Sequence, residues 1–248
     1  MGGPEFRRGA AGWWTRRSQL PRELLVQGAE EFLGETEEGG RAVPLWAVEA
    51  AVPDGETWTP LRTLLAEAEP AQVKCAVRAA ELASWRAAHR FCGACGSATV
   101  RRPDQVVFDC PACGMEFWPR VTPAVIMLVH RGDEVLLVRH TRYSAPIFSC
   151  VAGFVETGET LEEAVAREIA EEVGLSVGTP RYFASQAWPF PHALMTAFFV
   201  PWVSGEPRPD GREIAEARWF RRDALPAMPP PLSIARRLVR VHFEDDSL

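Results

Sequence analysis

Two C-x-x-C pairs, Cys92/Cys95 and Cys110/Cys113, stand fourteen residues apart in this chain. Each pair presents two thiolates from one tight turn, and two such turns complete a tetrahedral four-sulfur zinc shell. Few other patterns bind a backbone so firmly, because both turns must meet at one ion whatever lies between them. Gly93 and Gly96 accompany the first turn and Gly114 follows the second, where a missing side chain lets the backbone wrap closely. Four thiolates leave zinc no open position for water, so the expected zinc is structural. Cys75 and Cys150 stand alone and read as core thiols.

The organisation of the chain follows from this ribbon. Between the cysteine pairs, TVRRPDQVVFDC reads as a hairpin. Upstream, GETEEGG at 34–40 reads as a turn, VPLWAVEAAV at 43–52 as strand, and the alanine-rich run from Pro70 to His89 as a helix leading into the ribbon. Downstream, PAVIMLVH and EVLLVR are strand-like runs joined by a turn at Arg131–Asp133. A strand entering a loop follows at IFSCVAGFVE, then a helix stopped by Gly174, strands at 181–187, 194–203 and 215–220, and a last helix after PPP. Strands mixed with helices predict an α/β (α+β) layer fold. The expected domains are 1–88 (N-terminal), 89–119 (zinc ribbon) and 120–248.

Composition excludes several classes. With 248 residues, 47% hydrophobic and a net charge of -6, the chain is neither fibrous nor disordered and has no footprint for duplex nucleic acid. Sequence-specific DNA binding is therefore not expected. The longest apolar run, Ala124–Val129, is far short of the roughly 20 residues a membrane span needs. MGGPEFRRGA has no apolar secretory core, and thiols reserved for zinc call for a reducing compartment, so the expected location is the cytoplasm.

The chemistry gathers in GFVETGETLEEAVAREIAEEVGL, residues 153–175. At about 100° per residue, Leu161, Val165, Ile169 and Val173 form one apolar stripe, and Glu168, Glu171 and Glu172 fall beside it. Glu163 and Arg167, at i and i+4, are placed to pair. An ordinary solvated helix spreads its acids opposite the stripe. Carboxylates crowded at a core's edge repel one another and are poorly solvated, a cost that bound Mg²⁺ or Mn²⁺ would offset. The segment carries seven acids and one arginine, a net -6 equal to that of the whole chain. An acidic surface helix remains the alternative from spacing alone.

The spacing Gly153, Glu159 and then Arg167-Glu168-Ile169-Ala170-Glu171-Glu172-Val173-Gly174-Leu175 resembles the signature box of the Nudix hydrolases at all its fixed positions. The resemblance implies an α/β/α sandwich with the box as loop-helix-loop, and hydrolysis of a nucleoside diphosphate linked to another group. It implies Mg²⁺ or Mn²⁺ on Glu168 and Glu172, with Glu171 as a further ligand or base, the Ala152 carbonyl as an added ligand and Arg167 orienting the glutamates. Glu213, in GREIAEARWF, matches an additional metal carboxylate.

A proline-aromatic loop, Ser-Gln-Ala-Trp-Pro-Phe-Pro-His at 185–192, offers stiff aromatic surface that can stack a planar base or pack internally. Together with the ribbon it is similar to the NADH pyrophosphatase branch of the family, as are GWW at 12–14, LMTAF at 194–198 and PPP with IARRL at 229–238. Ala187 and Ala193 depart from that branch's usual proline and serine. The resemblance implies an N-terminal Nudix-like or mixed α/β domain, a homodimer, and cleavage of NADH or NAD⁺ to the mononucleotide and AMP. For bacterial members it also implies removal of NAD caps from RNA 5′ ends. It places substrate contacts at Arg62, Trp118, Ala152, Gln186, Ala187, Trp188, Pro189, Phe190, Pro191, His192, Ala193 and Ala235. The alternatives are a Nudix hydrolase for ADP-ribose or diadenosine polyphosphates, and a zinc-ribbon RNA-binding adaptor.

Overall fold

A computed structural model of the chain describes residues 5–7, 30–38, 41–48, 58–67, 70–142 and 145–244. The GWW motif at 12–14 lies outside them. The chain forms two compact units, one of residues 1–120 with 189–192, the other of 121–188 and 193–248.

In the first unit β1 (Glu5–Arg7) pairs antiparallel with β4 (Trp58–Pro60), and β2 (Glu30–Glu38) with β3 (Arg41–Val48). Strand β2 runs through most of the stretch expected to be a turn at 34–40. Its glycine is absorbed as a register shift between Phe32 and Gly34, and pairing with Arg41–Leu45 overrides the local turn preference. Helices α1 (Leu61–Glu67) and α2 (Pro70–Ala88) follow, then the ribbon strands β5 (Val100–Arg101), β6 (Phe108–Asp109) and β7 (Glu116–Phe117). As expected, α2 leads directly into the ribbon. Its Ala79, Leu82 and Trp85 share one core with Phe108, and the Trp85 and Phe108 rings lie 4.8 Å apart.

In the second unit the order is β8 (Thr122–Arg131), β9 (Glu134–His140), β10 (Val151–Phe154), α3 (Leu161–Val173), β11 (Ser176–Val177), β12 (Arg181–Trp188), β13 (Ala193–Ser204), β14 (Ile214–Arg221) and α4 (Ile234–Glu244). Among the described residues seven strands join one mixed sheet, in the order β11-β13-β8-β9-β14, with β10 beside β8 and β12 beside β13. The β8–β13 pairing is parallel, from Ala193↔Thr122 to Pro201↔His130.

The apolar run near Ala124–Val129 explains the layers. Side chains alternate across a strand, so a continuous run needs cover on both faces. Val125, Met127 and Val129 pack with Val165, Ile169 and Val173 of α3. Ile126 and Leu128 pack with Ile234, Ala235, Leu238 and Val239 of α4. The result is an α/β/α sandwich. Helix α3 opens on a capping box: the Thr160 hydroxyl accepts from the Glu163 N–H, and the Glu163 carboxylate accepts from the Thr160 N–H. This corrects the expected Glu163–Arg167 pair, because the N-terminal cap takes the Glu163 carboxylate.

Leu238 is fully buried under the sheet on the α4 side. Leu238→Ala should lower the unfolding free energy by roughly 2–5 kcal/mol, read by urea denaturation. A loss below about 1 kcal/mol would show that α4 is not docked as described.

Candidate active site and zinc ribbon

The ribbon turns are built alike. Gly96 N–H donates to the Cys92 carbonyl and Gly114 N–H to the Cys110 carbonyl, both at 2.9 Å, and both glycines have φ of +75°. A side chain would be strained in that left-handed conformation, so the two glycines let the turns close. The four sulfurs lie within 4.8 Å of one another, with Cys92–Cys113 at 3.6 Å and Cys95–Cys110 at 3.5 Å. Sulfurs about 2.3 Å from a tetrahedral zinc are separated by about 3.8 Å, so this donor set fits the ion. The Ser97 backbone N–H, with its hydroxyl, lowers the Cys95 thiol to about 6. On the outer face Arg102 binds Asp109 at 3.0 and 2.7 Å and also meets Glu116, while Glu116 accepts from the indole N–H of exposed Trp118 at 3.2 Å.

Of the box carboxylates, Glu168 sits between α3 and β10. Arg167 is the hub. It donates twice to Glu159, at 2.7 and 2.8 Å, and also to Glu168 at 2.9 Å, Glu171 at 3.2 Å and the Phe154 carbonyl at 2.9 Å. These bonds hold the Glu159 carboxyl near 2, well below its ordinary value. Glu168 lies directly over Gly153: a Cβ built there would stand 1.9–2.3 Å from the Glu168 carboxylate. Gly153 is thus required for close approach, not for backbone freedom. Burial raises the Glu168 carboxyl, against the pull of Arg167.

Glu172 is the unusual member. It is only 5% exposed, and its Oε2 is buried without a hydrogen-bond partner. Burial first, then the charges of Glu168, Glu213 and Asp210, push its carboxyl up to about 8. An orphaned buried carboxylate oxygen facing further acids fits a divalent cation, whose preferred donors are such oxygens. Glu171 points outward, with a side chain 62% exposed, so the crowding expected of three acids falls on Glu168 and Glu172. Glu213 is exposed, on the loop before β14, and its charge reaches both. Among the described residues only the four cysteines gather their ligand atoms within 4.8 Å; the carboxylates, with Glu168 turned to Arg167, are less converged.

Sequence reasoning missed two neighbours, Asp210 and the buried His140, which lie near Glu213. Asp210-Gly211 was readable as a turn signal, but nothing local linked it to a helix nearly forty residues earlier.

The expected substrate residues fall into separate groups. Gln186 uses both ends of its carboxamide on the backbone leading into α4, donating to the Leu232 carbonyl at 3.1 Å and accepting from the Ile234 N–H at 2.8 Å. Ala235, in the first turn of α4, is buried in the core that Ala152 partly covers. Phe190 packs with Leu61, Ala76 and Ala80, and the Arg62 guanidinium lies 4.0 Å over its ring. Pro189 and Ala193 are buried, Ala187 and Pro191 exposed, and Trp188 and His192 half-buried.

Comparison with known proteins then decides the family. The NUDIX domain matches residues 120–240, and the NADH pyrophosphatase zinc ribbon domain matches residues 87–117. A protein of Stutzerimonas stutzeri named NAD-capped RNA hydrolase NudC is 42% identical over 93% of this chain and 81% of its own length. One of the same name from Chromobacterium violaceum is 44% identical over 92% of this chain and 86% of its own. The chain belongs to the Nudix hydrolase family. A Nudix hydrolase from Nitrosomonas europaea of known structure shares the fold, at TM-score 0.55 and 23% identity over 64% of this chain and 92% of that one. In this Nudix hydrolase no helix among the described residues is long and apolar enough to cross a membrane.

Two outcomes test the sites. Glu172 has a folded pKa of about 8 against an ordinary 4.5. Its neutral form therefore stabilises the fold fully below 4.5, and that contribution is lost as pH rises through 8. Without added divalent cation, the wild-type melting temperature should fall over that window, the Glu172→Gln melting temperature much less, and Mn²⁺ should restore the wild type at high pH. Parallel curves would contradict this environment. Separately, Cys92→Ser should lower both bound zinc, read by elemental analysis, and thermal stability. Unchanged zinc would remove the four-sulfur assignment.

Proposed function

We propose that this Nudix hydrolase cleaves the pyrophosphate of NADH or NAD⁺, giving NMN(H) and AMP, and removes NAD caps from RNA 5′ ends. The observation that carries the chemistry is the buried, unpartnered Glu172 beside Glu168. The choice of substrate rests on relatives named NAD-capped RNA hydrolase that are 42% and 44% identical over more than nine-tenths of the chain.

Glu168 and Glu172, with Glu171, Glu213 and the Ala152 carbonyl, would hold Mg²⁺ or Mn²⁺. When bound, the cation neutralises charge on the phosphoryl oxygens and lowers the pKa of an attacking water. Arg167 fixes the Glu168 and Glu171 side chains against Glu159 and the Phe154 carbonyl. Glu172 or Glu171 accepts the proton of the attacking water. Trp118 and the Trp188–Phe190 region supply flat aromatic surface for the ring systems, and Arg62 supplies a cation for phosphate. Gln186, Ala187, Pro189, Pro191, His192, Ala193 and Ala235 complete the substrate contacts, with Gln186 acting through the backbone it holds at residues 232–234.

The reading includes a structural zinc on the four cysteines, a homodimer, a reducing cytoplasmic setting for the thiolates, and domains at 1–88, 89–119 and 120–248. Purified protein with Mn²⁺ should release NMNH and AMP from NADH, and Glu172→Gln should lose roughly 10²–10⁴-fold in turnover while remaining folded, as read by circular dichroism. Release of products from ADP-ribose or a diadenosine polyphosphate but not from NADH would overturn the substrate assignment. Normal turnover by Glu172→Gln would remove the metal site.

A further inference from the structure

Between β13 and β14 the chain returns to the C-terminal end of α3, and the contacts there centre on one side chain that the reaction itself does not use. The Asp210 carboxylate accepts from three successive backbone N–H groups: Arg212 at 3.1 Å, Glu213 at 3.1 and 3.2 Å, and Ile214 at 2.8 Å. Its own N–H donates to the Glu172 carbonyl at 3.1 Å, and the Arg208 N–H donates to the Val173 carbonyl at 2.8 Å. Those carbonyls belong to the last turn of a helix, where acceptors lack intrahelical partners. The loop is therefore stitched to the residue that carries the buried carboxylate.

Glu213 is fixed from three sides. Asp210 takes its N–H. Thr141 donates its N–H to the Glu213 carbonyl at 2.8 Å, and its hydroxyl donates to the preceding Arg212 carbonyl at 2.8 Å. The next residue, Ile214, is fully buried in the α3-side core. Only the Glu213 side chain is left exposed, and its charge is felt by Glu168 and Glu172. Gly211, at φ of +71°, makes the turn inside this bracket, and its N–H donates to the Ile214 carbonyl at 3.1 Å.

We infer that Asp210 is a positioning residue that sets Glu213 against Glu168 and Glu172 by gathering the backbone N–H groups of residues 212–214. A carboxylate binding several backbone donors stiffens a loop more than a neutral acceptor does, and a residue supporting a metal ligand alters affinity without touching the ion. The inference rests on Glu213 belonging to the cation-binding carboxylates proposed above, but not on the identity of the substrate.

The test is a double-mutant cycle on the full-length protein, with Mn²⁺ as the probe. Binding is read as loss of the free Mn²⁺ electron paramagnetic resonance signal, alongside turnover and melting temperature. Asp210→Ala and Glu213→Gln should each weaken Mn²⁺ binding, by roughly 10–100-fold for Asp210→Ala. Asp210→Asn, which keeps one oxygen acceptor but loses the charge, should weaken Mn²⁺ binding measurably, though less than Asp210→Ala. Asp210→Ala should add little in the Glu213→Gln background, because the two act on one thing. Full additivity would overturn the inference, as would Asp210→Ala binding Mn²⁺ like wild type while melting lower. If Asp210→Ala does not fold, the same comparison is made with Asp210→Asn: a fall in Mn²⁺ affinity that disappears in the Glu213→Gln background supports the inference, and additivity, or no fall at all, refutes it. If Glu213→Gln itself binds Mn²⁺ normally, the premise fails and the inference with it.

Discussion

The guanidinium of Arg167 meets both oxygens of Glu159, one oxygen each of Glu168 and Glu171, and the carbonyl of Phe154. It ties the loop before α3, the end of β10 and two turns of α3 to one cation. The planar fork of arginine makes this possible, since a lysine has one compact charge and no paired donors. Remove that centre and Glu168, lying over Gly153, would have little to offset the cost of its burial. Glu172, one turn further along, has no such partner, and its carboxyl is pushed up to about 8. The helix thus holds one carboxylate satisfied by the protein and another left for an ion. Segment 153–175, which includes this helix, carries a net charge of -6, equal to that of the whole chain, and each divalent cation bound there would offset two of those charges.

The ribbon applies the opposite logic. Four sulfurs converge on one point and their turns are closed by glycines in the left-handed region, so the ion would be saturated by protein and closed to chemistry. Its small strands could not bury a core alone. Phe108 reaches Trp85 at the end of α2, and His89, whose Nδ1 donates to the Trp85 carbonyl at 2.6 Å, lies with its ring tilted 5.6 Å from that of Phe117. The helix and the ribbon are one packed structure within the first unit.

Much of this was legible along the chain because the signals are periodic or tightly spaced. The stripe Leu161, Val165, Ile169 and Val173 foretold the buried face of α3, and Gly174 foretold its end in the left-handed conformation. Residues 34–38, where a glycine and several glutamates favour a turn locally, are instead extended by pairing with Arg41–Leu45. The Glu163–Arg167 pair also failed. Spacing along a helix cannot reveal that a carboxylate is claimed by the N-terminal cap.

The sequence by itself determined the ribbon, the box helix and the family they belong to, since in each the interacting residues are neighbours in the chain. What only the tertiary structure decided is how far each carboxylate is stripped of water and which groups answer it. Glu171 and Glu172 are adjacent in sequence, yet one faces solvent and the other is buried with an unpartnered oxygen. Asp210 and Glu213, from the loop before β14, and His140, at the end of β9, join them from distant parts of the chain, and the Gln186 carboxamide holds the backbone before α4. Burial and charge coupling depend on distances through space, and those are set when the sheet packs between its helices.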